Sequence, residues 1–240
     1  MNTNSNNYTI IFATVMVVIV ALLLAFVSGV LSDKQTENIE LDKKKQILAS
    51  LNINAQNQDI NALYSKHITK QIVIDYKGDE ISTEKPDEAF YIDVKKELSK
   101  KLESRTLPLY IADVDGSTKY IISLYGAGLW GPIWGYVALD EDRNTIYGTY
   151  FSHASETPGL GAEISENSFQ SKFIGKKIFN DKQEFVSVAV VKSGQTSSHD
   201  YVDGISGGTI TSKGVENMLL NCIGQYEQYL KKSTNGGNEE

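Results

Sequence analysis

The chain has 240 residues, 41% hydrophobic and 22% charged, with a formal net charge of −7, which is globular composition sufficient for one good-sized domain or two small ones. The acidic balance, with Lys43, Lys44 and Lys45 as the one concentration of basic side chains, excludes a nucleic-acid surface. The single cysteine, Cys222, excludes an intramolecular disulfide framework and a Cys-based zinc or iron–sulfur site, and His67, His153 and His199 lack ligand spacing, so no metal site is expected.

A short polar segment, residues 1–7, leads into "YTIIFATVMVVIVALLLAFVSGVL", residues 8–31, which carries no charge. At roughly 20 residues per bilayer crossing, this run is long enough to span as a helix. A cleaved signal peptide would have a shorter apolar core and a basic leader. "MNTNSNN" has neither Lys nor Arg, so a retained single-pass anchor in membrane lipid is the expectation. Taken literally, Lys34 and Lys43 to Lys45 put the following domain in the cytoplasm. Those lysines are interleaved with Asp33, Glu37, Glu40 and Asp42, so charge alone does not settle the side.

Residues 32–70 read as a helical connector. Asp33 to Leu51 carries Ile39, Leu41, Ile47, Leu48 and Leu51 as a partial apolar stripe, and a second helix is expected from about Asp59 to Thr69. Strands then dominate: "QIVIDY", "LPLYIA", "KYIISLYG", "IWGYVAL" and "TIYGTYF" are short β-branched and aromatic runs. "SENSFQSKF" reads as helical with Ser165 as a cap, and "FVSVAVV" as a strand of the sheet interior. The last helix is the clearest, with Val215, Met218, Leu219, Cys222, Ile223, Tyr226 and Leu230 at helical spacing. The fold class expected is α+β: one N-terminal transmembrane helix, then one soluble domain over residues 71–231, of mixed sheet and packed helices, and a polar tail, 232–240.

Three glycine-rich stretches are the candidates for chemistry. In "DGISGGTITSKGV", Gly207 and Gly208 precede a helix expected to start near Ser212, and Ser206, Thr209, Thr211 and Ser212 supply hydroxyls. A helix N-terminus offers unpaired N–H groups and the positive end of a dipole, a seat for phosphate. A plain Ser/Thr cap after a glycine turn is the alternative. No acid follows three residues after Thr209, Thr211 or Ser212, so the reciprocal capping box is absent, as is the GxxxxGK[ST] loop. In "HASETPGLGAEI", Glu156 sits in a turn-rich loop with Thr157, Leu160 and Gly161. In "GAGLWGPIWGY", Trp130, Pro132 and Trp134 share a face if the chain is extended; the tryptophans are either core or walls for a planar ring. Neither a Ser-His-Asp nor a paired-carboxylate arrangement is present at recognisable spacing, so hydrolysis is not suggested.

Together and in this order, "GLWGPIWGYVAL", "HASETPGLGAEI" and "DGISGGTITSKGV" resemble the C subunit of the bacterial sodium-translocating NADH:quinone oxidoreductase, over nearly the whole chain. The related G-type subunit of the Rnf electron-transport complex shares two of these elements but lacks the doubled-tryptophan stretch. A membrane-anchored module without a redox role is the third reading. The resemblance implies FMN joined by a phosphoester to the last threonine of a D-x-x-S/T-G-A-T motif. Carried over, that motif is Asp203, Ser206, Gly207, Gly208 and Thr209, with Gly208 replacing the usual alanine and Thr209 bearing the flavin. It places Glu156, Thr157, Leu160 and Trp130 or Trp134 near the flavin. It implies no catalytic residue beyond the flavin carrier, a separate flavin transferase using FAD and magnesium, and partners in a six-membered membrane assembly that oxidises NADH, reduces ubiquinone and exports sodium. It also implies the bacterial inner membrane, with the soluble domain on the periplasmic side. No nicotinamide site is found, so the chain alone is not expected to oxidise NADH.

Overall fold

The computed structural model describes residues 6–56 and 58–232, so most of the polar N-terminus and of the polar tail lies outside the described residues. Helix α1 runs Asn6–Ser50 as one piece of 45 residues. It joins the expected span and the helical start of the connector without a break, as residues 32–50 contain neither glycine nor proline to stop it. Its apolar part, including Ile10, Leu22 and Phe26, is exposed, and the helix is long and apolar enough to cross a membrane.

The compact unit begins at Lys44. Within it α1 ends in a Schellman arrangement: Ile53 N–H donates to Leu48 O at 3.1 Å and Asn52 N–H to Ala49 O at 2.9 Å. Asn52 takes the left-handed position at φ 60°, which asparagine tolerates well. Helix α2 (Ile60–His67) is capped by Asp59, whose carboxylate accepts from the amides of Asn61 and Ala62. Strand β1 (Ile68–Ile74) follows at once, so the β-branched pair Ile68 and Thr69 is strand rather than helix. His67 is a packed polar residue, its Nδ1 3.0 Å from Asp113 O.

A two-residue strand β2 (Glu80–Ile81) and two short helices, α3 (Glu88–Tyr91) and α4 (Val94–Ser99), lead to the central strands. These are β3 (Leu107–Val114), β4 (Ser117–Ala127), β5 (Pro132–Leu139) and β6 (Ile146–His153). The sheet order is β2-β1-β3-β4-β5-β6, with every pair antiparallel. The β3–β4 connection is Asp115-Gly116, both at positive φ, the pair that a right-twisted two-residue hairpin requires.

After β6 come a short 3-10 helix (Gly161–Ser165), helix α5 (Asn167–Gln170), a small parallel pair of β7 (Ala189–Val191) with β8 (Tyr201–Asp203), then α6 (Thr209–Ile223) and α7 (Glu227–Lys232). Two expectations change here. Ser165 does not cap α5; its hydroxyl donates back to Ala162 O, and Glu166 precedes the helix without a side-chain cap. "FVSVAVV" contributes only Ala189–Val191 to a ladder, outside the main sheet, because Ser187 at φ 59° breaks the extended backbone. The segment after α5 lies along β6: Ile146 N–H donates to Lys176 O, Gly175 N–H to Ile146 O, and the Gln170 side chain to Phe151 O.

Alternation along the strands divides the apolar residues between two layers. One layer joins Leu109, Ile122, Leu124, Ile133 and Val137 to Val215, Met218, Leu219, Cys222 and Ile223 of α6. The other joins Tyr110, Ile121, Tyr136 and Ala138 to Ile47, Leu48, Leu51, Tyr64 and Phe90. Burying each large α6 side chain contributes about 1.5–3 kcal/mol. Helix α6 approaches the end of β4 at two glycines: a Cβ on Gly214 would lie 2.4 Å from Ala127 O, and one on Gly126 2.8 Å from Met218 Cβ. That close approach brings the first turn of α6 to the β4–β5 turn and the loop after β6.

Candidate functional site

Helix α6 begins at Thr209, a turn earlier than its apolar stripe suggests. The turn before it has Gly207 at φ +75° and closes with Gly208 N–H donating to Ile205 O at 3.0 Å. A left-handed residue in this third position is the demand of a type II turn, and glycine meets it without strain. Gly208 makes no side-chain cap, and the first amide paired within the helix is that of Ser212, which donates to Gly208 O at 2.9 Å. The helix therefore presents open N–H groups at its start.

The hydroxyls do different jobs. Ser212 Oγ is buried and accepts from Ile205 N–H at 2.9 Å, which pins the turn to the helix. Thr211 Oγ1 belongs to a residue only 1% exposed and donates to Glu156 Oε2 at 2.6 Å. Ser206 and Thr209 differ from these: Ser206 is exposed, and Thr209 Oγ1 is without a hydrogen-bond partner among the described residues. The Thr211 proton is thus spent on Glu156, whereas Ser212 Oγ, an acceptor in its bond to Ile205, keeps its own proton to donate.

Thr209 and Gly207 border two adjoining cavities. One, about 220 Å³, is lined by Leu129, Trp130, Glu156, Leu160, Gly161 and Ile210, with Thr157, Gly208 and Thr211 completing the wall. The other, about 260 Å³, is lined by Val191, Lys192, Ser193, Ser206, Ser212 and Lys213 among others. Trp130 is 66% exposed and, with Leu129, Leu160 and Ile210, forms an apolar rim. The close approach is built from small residues: a Cβ at Gly207 would meet Leu160 Cδ2 at 2.7 Å, and one at Gly161 would meet Glu156 Oε2 at 2.3 Å. At Gly208 a Cβ would lie 3.0 Å from Ile205 Cγ2, tight but not forbidding.

Glu156 is the one acid in this wall, and it is 5% exposed. Trp130 N–H donates to its Oε1 at 2.8 Å and the Thr211 hydroxyl to its Oε2 at 2.6 Å. No ion pair reaches it among the described residues. The β4–β5 turn that carries Trp130 is closed by Gly128 N–H donating to Gly131 O, and Ser155 Oγ donates to Trp130 O.

Of the residues singled out in the sequence, the structure gathers Thr209, Ser206, Gly207, Gly208, Thr211, Ser212, Glu156, Thr157, Leu160, Gly161 and Trp130 around these cavities. Trp134 is not among them. It lies in β5 beside Ile133, and successive strand residues point to opposite faces. Ile133 packs on the α6 side; Trp134 Nε1 donates instead to Gln46 Oε1 at 3.2 Å. Trp130 sits in the turn before the strand, so the expected shared face does not form. Asp203 ends β8 and is exposed, outside both linings, with its carbonyl accepting from Lys172 Nζ. Leu129, Ile210, Lys192 and Lys213 are site residues that the motifs did not flag. Ile210 carried a signal: it is apolar yet falls off the helical stripe.

Cys222, on the buried face of α6, is not part of the site. Burial pushes its thiol up to about 11, against a hydrogen bond from Tyr125 N–H and the charge of Arg105.

Comparison with known proteins agrees with this geometry. The family model described as FMN-binding domain matches residues 128–224, which run from the β4–β5 turn through α6. The C subunit of the Na(+)-translocating NADH-quinone reductase of Haemophilus ducreyi is 30% identical, over 99% of this chain and 98% of that protein. A crystal structure of the same reductase's C subunit from Parabacteroides distasonis superposes with a TM-score of 0.77 at 47% identity, covering 84% of this chain and 97% of that one. Shewanella oneidensis NqrC gives a TM-score of 0.67 at 25% identity, covering 82% and 100%. The chain therefore belongs to the family of the C subunit of the Na(+)-translocating NADH-quinone reductase, and carries that family's FMN-binding domain behind a helix long enough to span a membrane.

Proposed function

We propose that this chain is a flavin-carrying electron-transfer subunit, with FMN held by a phosphoester on Thr209. The observation that carries the reading is the unpartnered Thr209 hydroxyl at the open N-terminus of α6, on the border of two cavities and inside the matched FMN-binding domain. The residues fit such a group. Gly207 and Gly208 let the turn before Thr209 pack closely, since a Cβ at Gly207 would press on Leu160 and one at Gly208 on Ile205. The open amides and helix dipole favour a phosphoryl charge, with Lys192 and Lys213 in the second cavity. Trp130, Leu129, Leu160 and Ile210 offer apolar surface for a planar ring.

In the attachment step Thr209 Oγ forms a bond to the FMN phosphorus of FAD, and the pyrophosphate bond breaks. AMP leaves, and the threonine proton ends on it. A separate transferase with magnesium carries out this exchange. Bound FMN supplies the redox chemistry by accepting and passing on electrons, while the protein orients it and tunes its potential. A flavin exposed enough to exchange electrons buries little surface, so a covalent link prevents its loss. The chain works within a membrane complex that oxidises NADH, reduces ubiquinone and exports sodium ions, and its domain faces the periplasm. Relatives matched over nearly the full chain length are C subunits of that reductase, which favours this assembly over the Rnf type.

Mass spectrometry of the full chain co-expressed with a flavin transferase tests the reading. A gain of one FMN minus water, absent from Thr209→Ala, is expected. Addition at Thr211 or Ser212 would refute the assignment of the ester, and no addition would remove the proposal.

A further inference from the structure

Glu156 is a buried carboxylate whose two oxygens are both engaged, by groups from two different parts of the chain. Trp130 N–H, 26 residues earlier, fills Oε1; the Thr211 hydroxyl, 55 residues later, fills Oε2. Neither donor is a cation, and no ion pair reaches the side chain among the described residues. The surrounding backbone is shaped for it. A Cβ at Gly128 would come within 2.5 Å of Oε1, and one at Gly161 within 2.3 Å of Oε2.

Two consequences follow from hydrogen-bond chemistry. A carboxylate only accepts, so the Thr211 hydroxyl must spend its single proton on Glu156. Thr211 then shows the cavity lone pairs only, an acceptor for a ligand N–H or O–H and never a donor to phosphate. Second, a carboxylate held by two neutral donors, with no ion pair among the described residues, stands in the wall of the cavity that Trp130 and Leu160 rim. Away from water, such a charge acts on a neighbouring group far more strongly than it does in bulk solvent.

Resting on the flavin reading above, we infer that Glu156 is a positioning residue that sets the hydrogen-bond polarity of the flavin cavity through Thr211 and makes the flavin harder to reduce by its charge. Reduction adds negative charge to the flavin, which a fixed carboxylate opposes. Glu156→Gln keeps the shape. Its oxygen accepts from Trp130 N–H, its amide donates to Thr211 Oγ1, and the Thr211 proton turns elsewhere. The charge is gone, so reduction becomes easier. Thr211→Val does the reverse: the carboxylate stays and loses a compensating donor, so reduction becomes harder.

The test is spectroscopic redox titration of the flavin in the intact, flavin-loaded chain, with loading measured by mass. At a fixed applied potential, Glu156→Gln is expected to raise the reduced-to-oxidised ratio at least about tenfold, and Thr211→Val to lower it. Thr211→Ser, which keeps the hydroxyl, is expected to match the wild type. Plain loosening of the site would move both altered variants in one direction and would overturn the inference, as would unchanged ratios with flavin present. If Glu156→Gln fails to fold, Thr211→Val decides alone: a lowered ratio supports the inference and any other overturns it. A wild-type chain without flavin sinks the reading of Thr209 instead, so the two failures are distinct.

Discussion

Replacing Gly161 by alanine strikes the joint between the loop after β6 and the first turn of α6. Its backbone is not in the left-handed region, so the new methyl acts by contact alone. That methyl would lie 2.3 Å from Glu156 Oε2 and 2.6 Å from Thr211 Oγ1, inside the 2.6 Å hydrogen bond that joins them. Neither neighbour can retreat cheaply, since Glu156 is also held at Oε1 by Trp130 N–H. Losing a hydrogen bond to a charged group costs about 1.5–3 kcal/mol, and leaving part of a buried carboxylate unsatisfied adds to it. We expect a total of about 3 kcal/mol or more, a fall of roughly 6–12 °C in Tm for a domain of this size. Gly159 is the control. It has φ +74° with nothing within 4 Å of an added methyl, so alanine there brings only backbone strain, about 1–2 kcal/mol. Guanidinium titration of the detergent-solubilised full chain, followed by tryptophan fluorescence, measures both. Gly161→Ala costing no more than Gly159→Ala would refute the view that the Glu156–Thr211 contact is tight and unyielding.

Gly207→Ala is expected to lose about 1 kcal/mol or more, because φ +75° is strained for alanine and Leu160 must also move; Gly208→Ala, at φ −107°, is expected to stay within about 0.5 kcal/mol and to keep its flavin loading by mass. Ser212→Ala leaves Ile205 N–H without its acceptor, so a loss of about 1 kcal/mol and faster hydrogen exchange at the Ile205 amide are expected. Alkali should destabilise the domain in a defined window. Cys222 ionises from 9.0 when unfolded but only near 11 when folded, so the folded form holds the proton that the unfolded form releases, and stability falls as pH rises from about 9 to 11. The loss from this group is on the order of 3 kcal/mol, and Cys222→Ala should remove that part of the slope in pH-dependent denaturation. Tyr110 and Tyr226, raised by burial, extend the decline to higher pH.

What the sequence made legible was set by the range of the interactions. The α6 stripe that starts at Val215 continues to Leu230 in α7, is local and periodic, and every member is buried. Thr209 is singled out by the motif alone, and periodicity places the helix start near Ser212, whereas α6 begins at Thr209. The apolar stripe begins at Val215, while the first turn is polar and follows a glycine turn whose geometry no periodicity reports. Helices α3 and α4 went unread because pieces of 4 and 6 residues show no period. Trp134 was grouped with Trp130 on an extended-chain assumption, and the turn Gly128–Gly131 defeats that register. The Glu156 contacts span 26 and 55 residues, beyond any local pattern.

The way the sheet terminates limits how other proteins can meet this domain. At one end β2 has only two residues, too few to template another strand. At the other, Ile146 of β6 bonds to Lys176 and Gly175, and Phe151 O accepts from the Gln170 side chain. At the first margin β2 pairs with Val73 and Ile74 of β1, and at the second the chain itself takes up the backbone of Ile146 and Phe151. A partner adding a strand over Val73 and Ile74, or over Ile146 and Phe151, would have to displace these segments, whereas one engaging side chains and loops would leave them in place.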